Sequence, residues 1–134
     1  MLIKTSADKE KVHSILKMVE TTLQMIDSID YKRFSSNVAK EYYDAIRELI
    51  SVVLLLDGYK TSGDGAHREL IEYLSQHYSN LSEGEIILID ELRTLRHRIT
   101  YDGFFINSEY LDRNKNNFSN IIKKLKDIIK KKMR

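Results

Sequence analysis

V-A-K-E-Y-Y-D-A-I-R-E-L-I-S-V-V-L-L-L-D-G, Val38 to Gly58, decides the fold. Val38, Tyr42, Ala45, Ile46, Leu49 and Val53 recur three and four residues apart, the signature of one helix face. From Val52 to Leu56 the helix is apolar all round, so this end is predicted to lie deepest in the domain. Gly58 is placed to stop it by taking the left-handed conformation that a side chain disfavours. Ser35 or Ser36 is the candidate cap at its start, since a short hydroxyl accepts from unpaired first-turn amides.

A helix apolar on all sides needs neighbours on all sides, and the flanking sequence supplies them. Upstream, Val12, Ile15, Leu16, Val19, Leu23 and Ile26 mark an amphipathic helix over about Asp8 to Ile29. Downstream, Leu70, Ile71, Leu74 and Tyr78 mark another from about Ala66 to Tyr78, with Asp64 as candidate cap. Ser82 and Glu85 form an S-x-x-E capping box that opens a fourth helix, with Leu88, Leu92, Leu95 and Ile99 as its expected inner stripe. Asn107 or Ser108 then caps a last helix carrying Leu111, Phe118, Ile121, Ile122, Leu125, Ile128 and Ile129. Proline is absent and there are only five glycines, so the chain is punctuated in few places. The expectation is an all-α, up-and-down antiparallel bundle of about five helices with no sheet, residues 1–134 forming one domain.

Composition narrows the function classes. There is no cysteine, which excludes disulfides and thiolate metal sites. His67 and His77 are too far apart in sequence for a helical metal pair, so neither a metal site nor a cofactor is expected. No run has signal-peptide or membrane-spanning character, so the expected location is cytoplasmic and no membrane contact is expected. Charge is unevenly spread. From Arg113 onward nine Lys or Arg face one acid, Asp127, whereas the rest holds 13 basic and 19 acidic residues. A basic C-terminal helix, from about residue 108, on an acidic body suits either an electrostatic partner or a solvated helix face complementing the helix dipole.

The chemistry concentrates in L-R-T-L-R-H-R-I-T-Y-D-G-F-F, Leu92 to Phe105. Arg93 and Arg96 share a stripe with Ile89 and Thr100, and His97 lies about 40° from Arg93. Arginine forks suit phosphate oxygens. Gly58 to Gly65 is rich in glycine but lacks the order of a phosphate loop, and is read as a turn between helices.

The span from Val38 to Lys60, then Ala66-His67-Arg68, then Leu92 to Gly103, resembles a HEPN domain. The resemblance implies a small all-α domain that dimerises, binds RNA or nucleotide, and works beside a nucleotidyltransferase, often in a toxin–antitoxin pair. Many HEPN domains are metal-independent ribonucleases. Their motif is an arginine, usually followed by a polar residue, and a histidine separated from the arginine by four to six residues. Here Arg96 and His97 fit the first two positions, but Tyr101, Asp102 and Gly103 fill the histidine window. The catalytic candidates are therefore Arg96, Tyr101 and His97, and the phosphate-binding candidates Arg93, Arg96 and Arg98. Tyrosine, with a pKa near 10, is a poor base at neutral pH, whereas histidine near 6.5 is a good one. Three readings stand: a HEPN-type binding domain partnered by a nucleotidyltransferase, an endoribonuclease with an altered base, and a helical interaction protein using its basic tail. On one straight helix Arg96 and Tyr101 lie about 140° apart, so they meet only if the helix unwinds or across a homodimer.

Overall fold

The computed structural model describes residues 1–134, and 75% of them are helical. The elements run β1 (Leu2–Lys4), α1 (Lys9–Ser28), α2 (Ser35–Asp57), β2 (Tyr59–Thr61), α3 (Ala66–His77), α4 (Glu83–Asp102) and α5 (Ser108–Lys132). The five expected helices are present in the expected order. Helix α2 is central, and α1, α3, α4 and α5 each pack against it. None of the helices is long and apolar enough to cross a membrane.

The core follows the apolar spacing. Val12, Val19 and Ile26 are the buried face of α1, and all seven apolar residues named for α5 are buried. Fourteen residues of α2 are buried, with Val52, Val53 and Leu54 fully sequestered. At about 25 cal/mol per Å2 of apolar surface, burial of each such side chain contributes roughly 1.5–3 kcal/mol. Gly58 ends α2 at φ 90°, in the left-handed region that favours glycine.

Three local expectations are corrected. A small sheet exists, because β1 pairs antiparallel with β2 in the register Leu2 to Thr61, Ile3 to Lys60 and Lys4 to Tyr59. Strands of three residues are too short to display an alternating pattern, and their pairing depends on where the turn at Gly58 sends the chain. Ser35 and Ser36 do not cap α2, whose N-cap is Phe34. They lie inside its first turn and grip the segment after α4: Ser35 Oγ donates to the Ile106 carbonyl at 2.7 Å, and the Ile106 amide donates to Ser36 Oγ at 2.9 Å. Nor does Asp64 cap α3, whose N-cap is Gly65 with no side-chain bond. The capping box of α4 and the Asn107 cap of α5 both form.

The basic C-terminal helix is tied to the acidic body. Lys124 pairs with Glu85 at 2.6 Å, Lys126 with Glu20, and Lys132 with Asp57. Asp57 also accepts from the Tyr73 hydroxyl at 2.8 Å and the Tyr78 hydroxyl at 2.7 Å. One carboxylate thus joins the C-terminal ends of α2, α3 and α5. Burial works against its charge, but the bonds from Lys132, Tyr78 and Tyr73 outweigh that and hold its pKa below the usual carboxylate range.

Replacing this carboxylate should loosen three helix ends at once. Asp57→Ala is expected to cost roughly 1–3 kcal/mol in urea unfolding, since it leaves two hydroxyls and an ammonium without their acceptor. Because the folded pKa lies below the unfolded one, Asp57 contributes stability above about pH 4 that is lost as pH falls through the folded value. A variant as stable as the natural chain at neutral pH would show that the junction is incidental.

Candidate phosphate-binding site

The capping box fixes where α4 begins and its packing fixes how it is rotated. The fully buried residues are Ile89 and Leu92, whereas Leu88, Leu95 and Ile99 are only partly covered. The inner face is therefore turned toward the expected arginine stripe. That rotation draws Arg93 and Arg96 partly inside, to 29% and 26% side-chain exposure.

The two arginines border an open cavity of about 390 Å3 between α2, α3 and α4. His97 lines it from α4, Tyr43 from α2, and residues Gly63 to Arg68 from the glycine-rich turn and the start of α3. The turn read from sequence as a mere connection thus forms one wall. Arg98 and Tyr101 are not in the lining. The Arg98 guanidinium sits 3.9 Å over the Phe104 ring. Tyr101 is 68% exposed, and its ring packs against His97 at 4.6 Å between centroids. Of the sequence candidates, the structure brings Arg93, Arg96 and His97 together and leaves Arg98 and Tyr101 outside.

Several polar groups around the cavity are unsatisfied. Tyr43 is 1% exposed, and its hydroxyl has no hydrogen-bond partner. Arg96 Nε is likewise buried and unpaired, as are Arg47 Nε and the acceptor Asp44 Oδ1, which belong to residues outside the lining. Arg96 Nε lies 3.6 Å from Asp44 Oδ1, close enough for ionic attraction but too long for a hydrogen bond. Arg93 is better satisfied, its Nε donating to Asp90 at 2.8 Å. In α3, the Ala66 amide bonds to the Gly63 carbonyl and the Glu69 amide to the Gly65 carbonyl, but the amides of His67 and Arg68 have no acceptor within the chain. Gly65, at φ 76°, turns the chain into the helix without offering a side chain to cap it. The end of α3 is open, with its partial positive charge beside the arginines.

These surroundings set proton affinities. Burial pushes the Tyr43 hydroxyl up to about 12, against the opposing pull of Arg47, Arg93 and Arg96, so it stays a donor at neutral pH. Burial also lowers the pKa of His67, and Arg47 and Arg96 lower it further while Asp44 opposes them. His67 is thus favoured as a neutral imidazole. No group of three or more His, Asp or Glu side chains is placed to hold a metal.

Tyr43, Asp44, Arg47 and His67 are not among the catalytic or phosphate-binding candidates of the sequence, although all four stand in the segments that resemble a HEPN domain. The pattern held no signal for Asp44 and Arg47, which fall with Lys40, Glu41 and Glu48 on the polar side of an amphipathic stretch. His67 had none either, because its place beside Tyr43, 6.0 Å between ring centroids, arises only in the fold. Comparison with protein-family models, curated proteins and solved structures finds no match to this chain.

The electrostatics can be read directly. Followed by NMR, the His67 ring is expected to titrate below its ordinary value of about 6.5. Replacing Arg96 by Gln should move that midpoint upward, by removing a nearby cation. With the folded pKa depressed, the contribution of His67 to stability is complete above about pH 6.5 and is lost as pH falls through the folded value. A midpoint at or above 6.5 that ignores Arg96 would contradict this electrostatic account.

Proposed function

We propose that this chain is a HEPN-type domain that binds the phosphate of RNA or a nucleotide in the cavity between α2, α3 and α4. The observation that carries this reading is the convergence of Arg93 and Arg96 with His67 and His97 on one open cavity. Arg96 is the arginine of the motif-like segment, and its Nε–H is unspent. Arginine forks beside an open helix start are suited to an oxyanion. The HEPN resemblance supplies the expected setting: a homodimer working with a nucleotidyltransferase in a toxin–antitoxin-like pair.

A second reading, metal-independent cleavage of RNA, is favoured by one observation. Two imidazoles, His67 and His97, line the same cavity as the arginines. Histidine suits proton transfer near neutral pH, a task for which Tyr101 is poorly matched. The third reading, partner binding through the basic tail, loses ground to the ion pairs that tie Lys124, Lys126 and Lys132 to the body. Exposed Lys123, Lys130, Lys131 and Arg134 remain available to it.

Arg96→Ala is expected to weaken RNA binding about tenfold or more, from the loss of a hydrogen bond to a charged group. Arg113→Ala, at an exposed position outside the cavity, serves as the control and should change affinity little. Fluorescence anisotropy with labelled RNA and chelator present measures both, and gel analysis of the same samples reports cleavage. Equal affinity of Arg96→Ala and the natural chain would remove the cavity from the account.

A further inference from the structure

Residues that line the cavity carry donors without a partner, two of them covered side-chain atoms. The Tyr43 hydroxyl comes from α2, the Arg96 Nε–H from α4, and the amides of His67 and Arg68 from the first turn of α3. All four lack a partner within the chain, and they belong to three different helices. Leaving a buried donor unpaired costs about 1–3 kcal/mol, a penalty that falls on the Tyr43 hydroxyl and the Arg96 Nε–H, whereas the His67 and Arg68 amides are the free first-turn amides of an uncapped helix. Tyr43 makes the strongest case. Its side chain is almost wholly covered, it borders the cavity, and burial keeps its proton on. Water can occupy such a place, but the added arginines and the uncapped helix favour negative charge.

We propose that this cavity is a receptor for a terminal phosphate, the phosphomonoester of a nucleotide or of an RNA end, held by Tyr43, Arg96 and the open first turn of α3. The inference rests on the reading of the cavity as a phosphate site and adds the kind of phosphate. A phosphomonoester has three terminal oxygens and one tether, and carries close to two negative charges at neutral pH. Donors from three helices can each meet a different terminal oxygen. An internal phosphodiester offers two non-bridging oxygens and one charge, and needs an exit for the chain on both sides. Asp44 Oδ1, itself buried and unpaired, lies 3.6 Å from the Arg96 Nε, near enough to attract the guanidinium but too far to accept its hydrogen bond. Arg68 and Arg93 also line the cavity, and Glu72 and Asp90 partly offset their charges.

The test uses the full chain in calorimetric titrations. The ligands are inorganic phosphate, adenosine, adenosine monophosphate, and one short RNA with a 5′-phosphate, with a 3′-phosphate, or with hydroxyls at both ends. At least one phosphorylated end is expected to improve RNA binding about tenfold over the hydroxyl-ended form, and the monophosphate should bind where adenosine does not. The arms separate a free nucleotide from either RNA end. Tyr43→Phe keeps the ring and should erase most of the preference. Should that variant fold poorly, Arg96→Lys keeps the charge, removes the Nε–H, and should have the same effect. Equal binding of phosphorylated and hydroxyl-ended RNA, still dependent on Arg96, would overturn the terminal-phosphate inference and leave the proposed function standing. Binding that ignores Arg96 altogether would remove both.

Discussion

Helix α2 buries fourteen of its 23 residues, and no single partner helix can cover them all. An apolar stripe on one side can be satisfied by one neighbour. A helix apolar around its whole girth at Val52 to Leu56 needs several. Helices α1, α3, α4 and α5 each pack against it and each adds buried apolar residues to the shared core. Both ends of α2 are also fastened. Ser35 and Ser36 hold the segment before α5 by two reciprocal bonds, and Asp57 gathers Tyr73, Tyr78 and Lys132. The net stability of such a domain is only about 5–15 kcal/mol, so ties at the ends matter alongside the large apolar term.

The candidate site is a consequence of the same constraint. Tyr43, Asp44 and Arg47 are carried inward with α2 because their apolar neighbours are, and the surrounding helices do not satisfy all of their polar atoms. Three helices meet around these groups without filling the space. Burial strengthens the interactions open to the two covered donors of the lining, the Tyr43 hydroxyl and the Arg96 Nε–H. It keeps the Tyr43 hydroxyl protonated and favours the neutral form of His67, so the cavity meets a ligand as a set of donors with an imidazole beside them.

The tail shows the limits of reading charge along a chain. A run of lysines in α5 looks like a surface waiting for an acidic partner. Three of them find that partner in Glu85, Glu20 and Asp57 of the same chain. The acidic excess of the body is in part the complement of its own last helix. The most exposed of these pairs, Lys126 with Glu20, contributes little, about 0–1 kcal/mol, and the docking of α5 rests chiefly on Phe118, Ile121, Leu125 and their neighbours.

The sequence by itself determined the five helices, the capping box of α4, the Asn107 cap of α5, the Gly58 stop of α2 and the apolar faces of α1, α2 and α5. Those are local matters, since periodicity and capping are written within a few residues of where they act. It also marked Arg93, Arg96 and His97 as a cluster, because neighbours on one helix stay neighbours in any fold. Only the tertiary structure decided the rotation of α4, which buried Ile89 and drew two arginines inward while leaving Arg98 and Tyr101 outside. The same holds for the β1–β2 pairing across more than fifty residues, and for the grip of Ser35 and Ser36 on Ile106. Tyr43, His67 and Arg96 come from three helices, and no spacing rule links them. What brought them together is the packing of α3 and α4 against the one helix that has to be covered on every side.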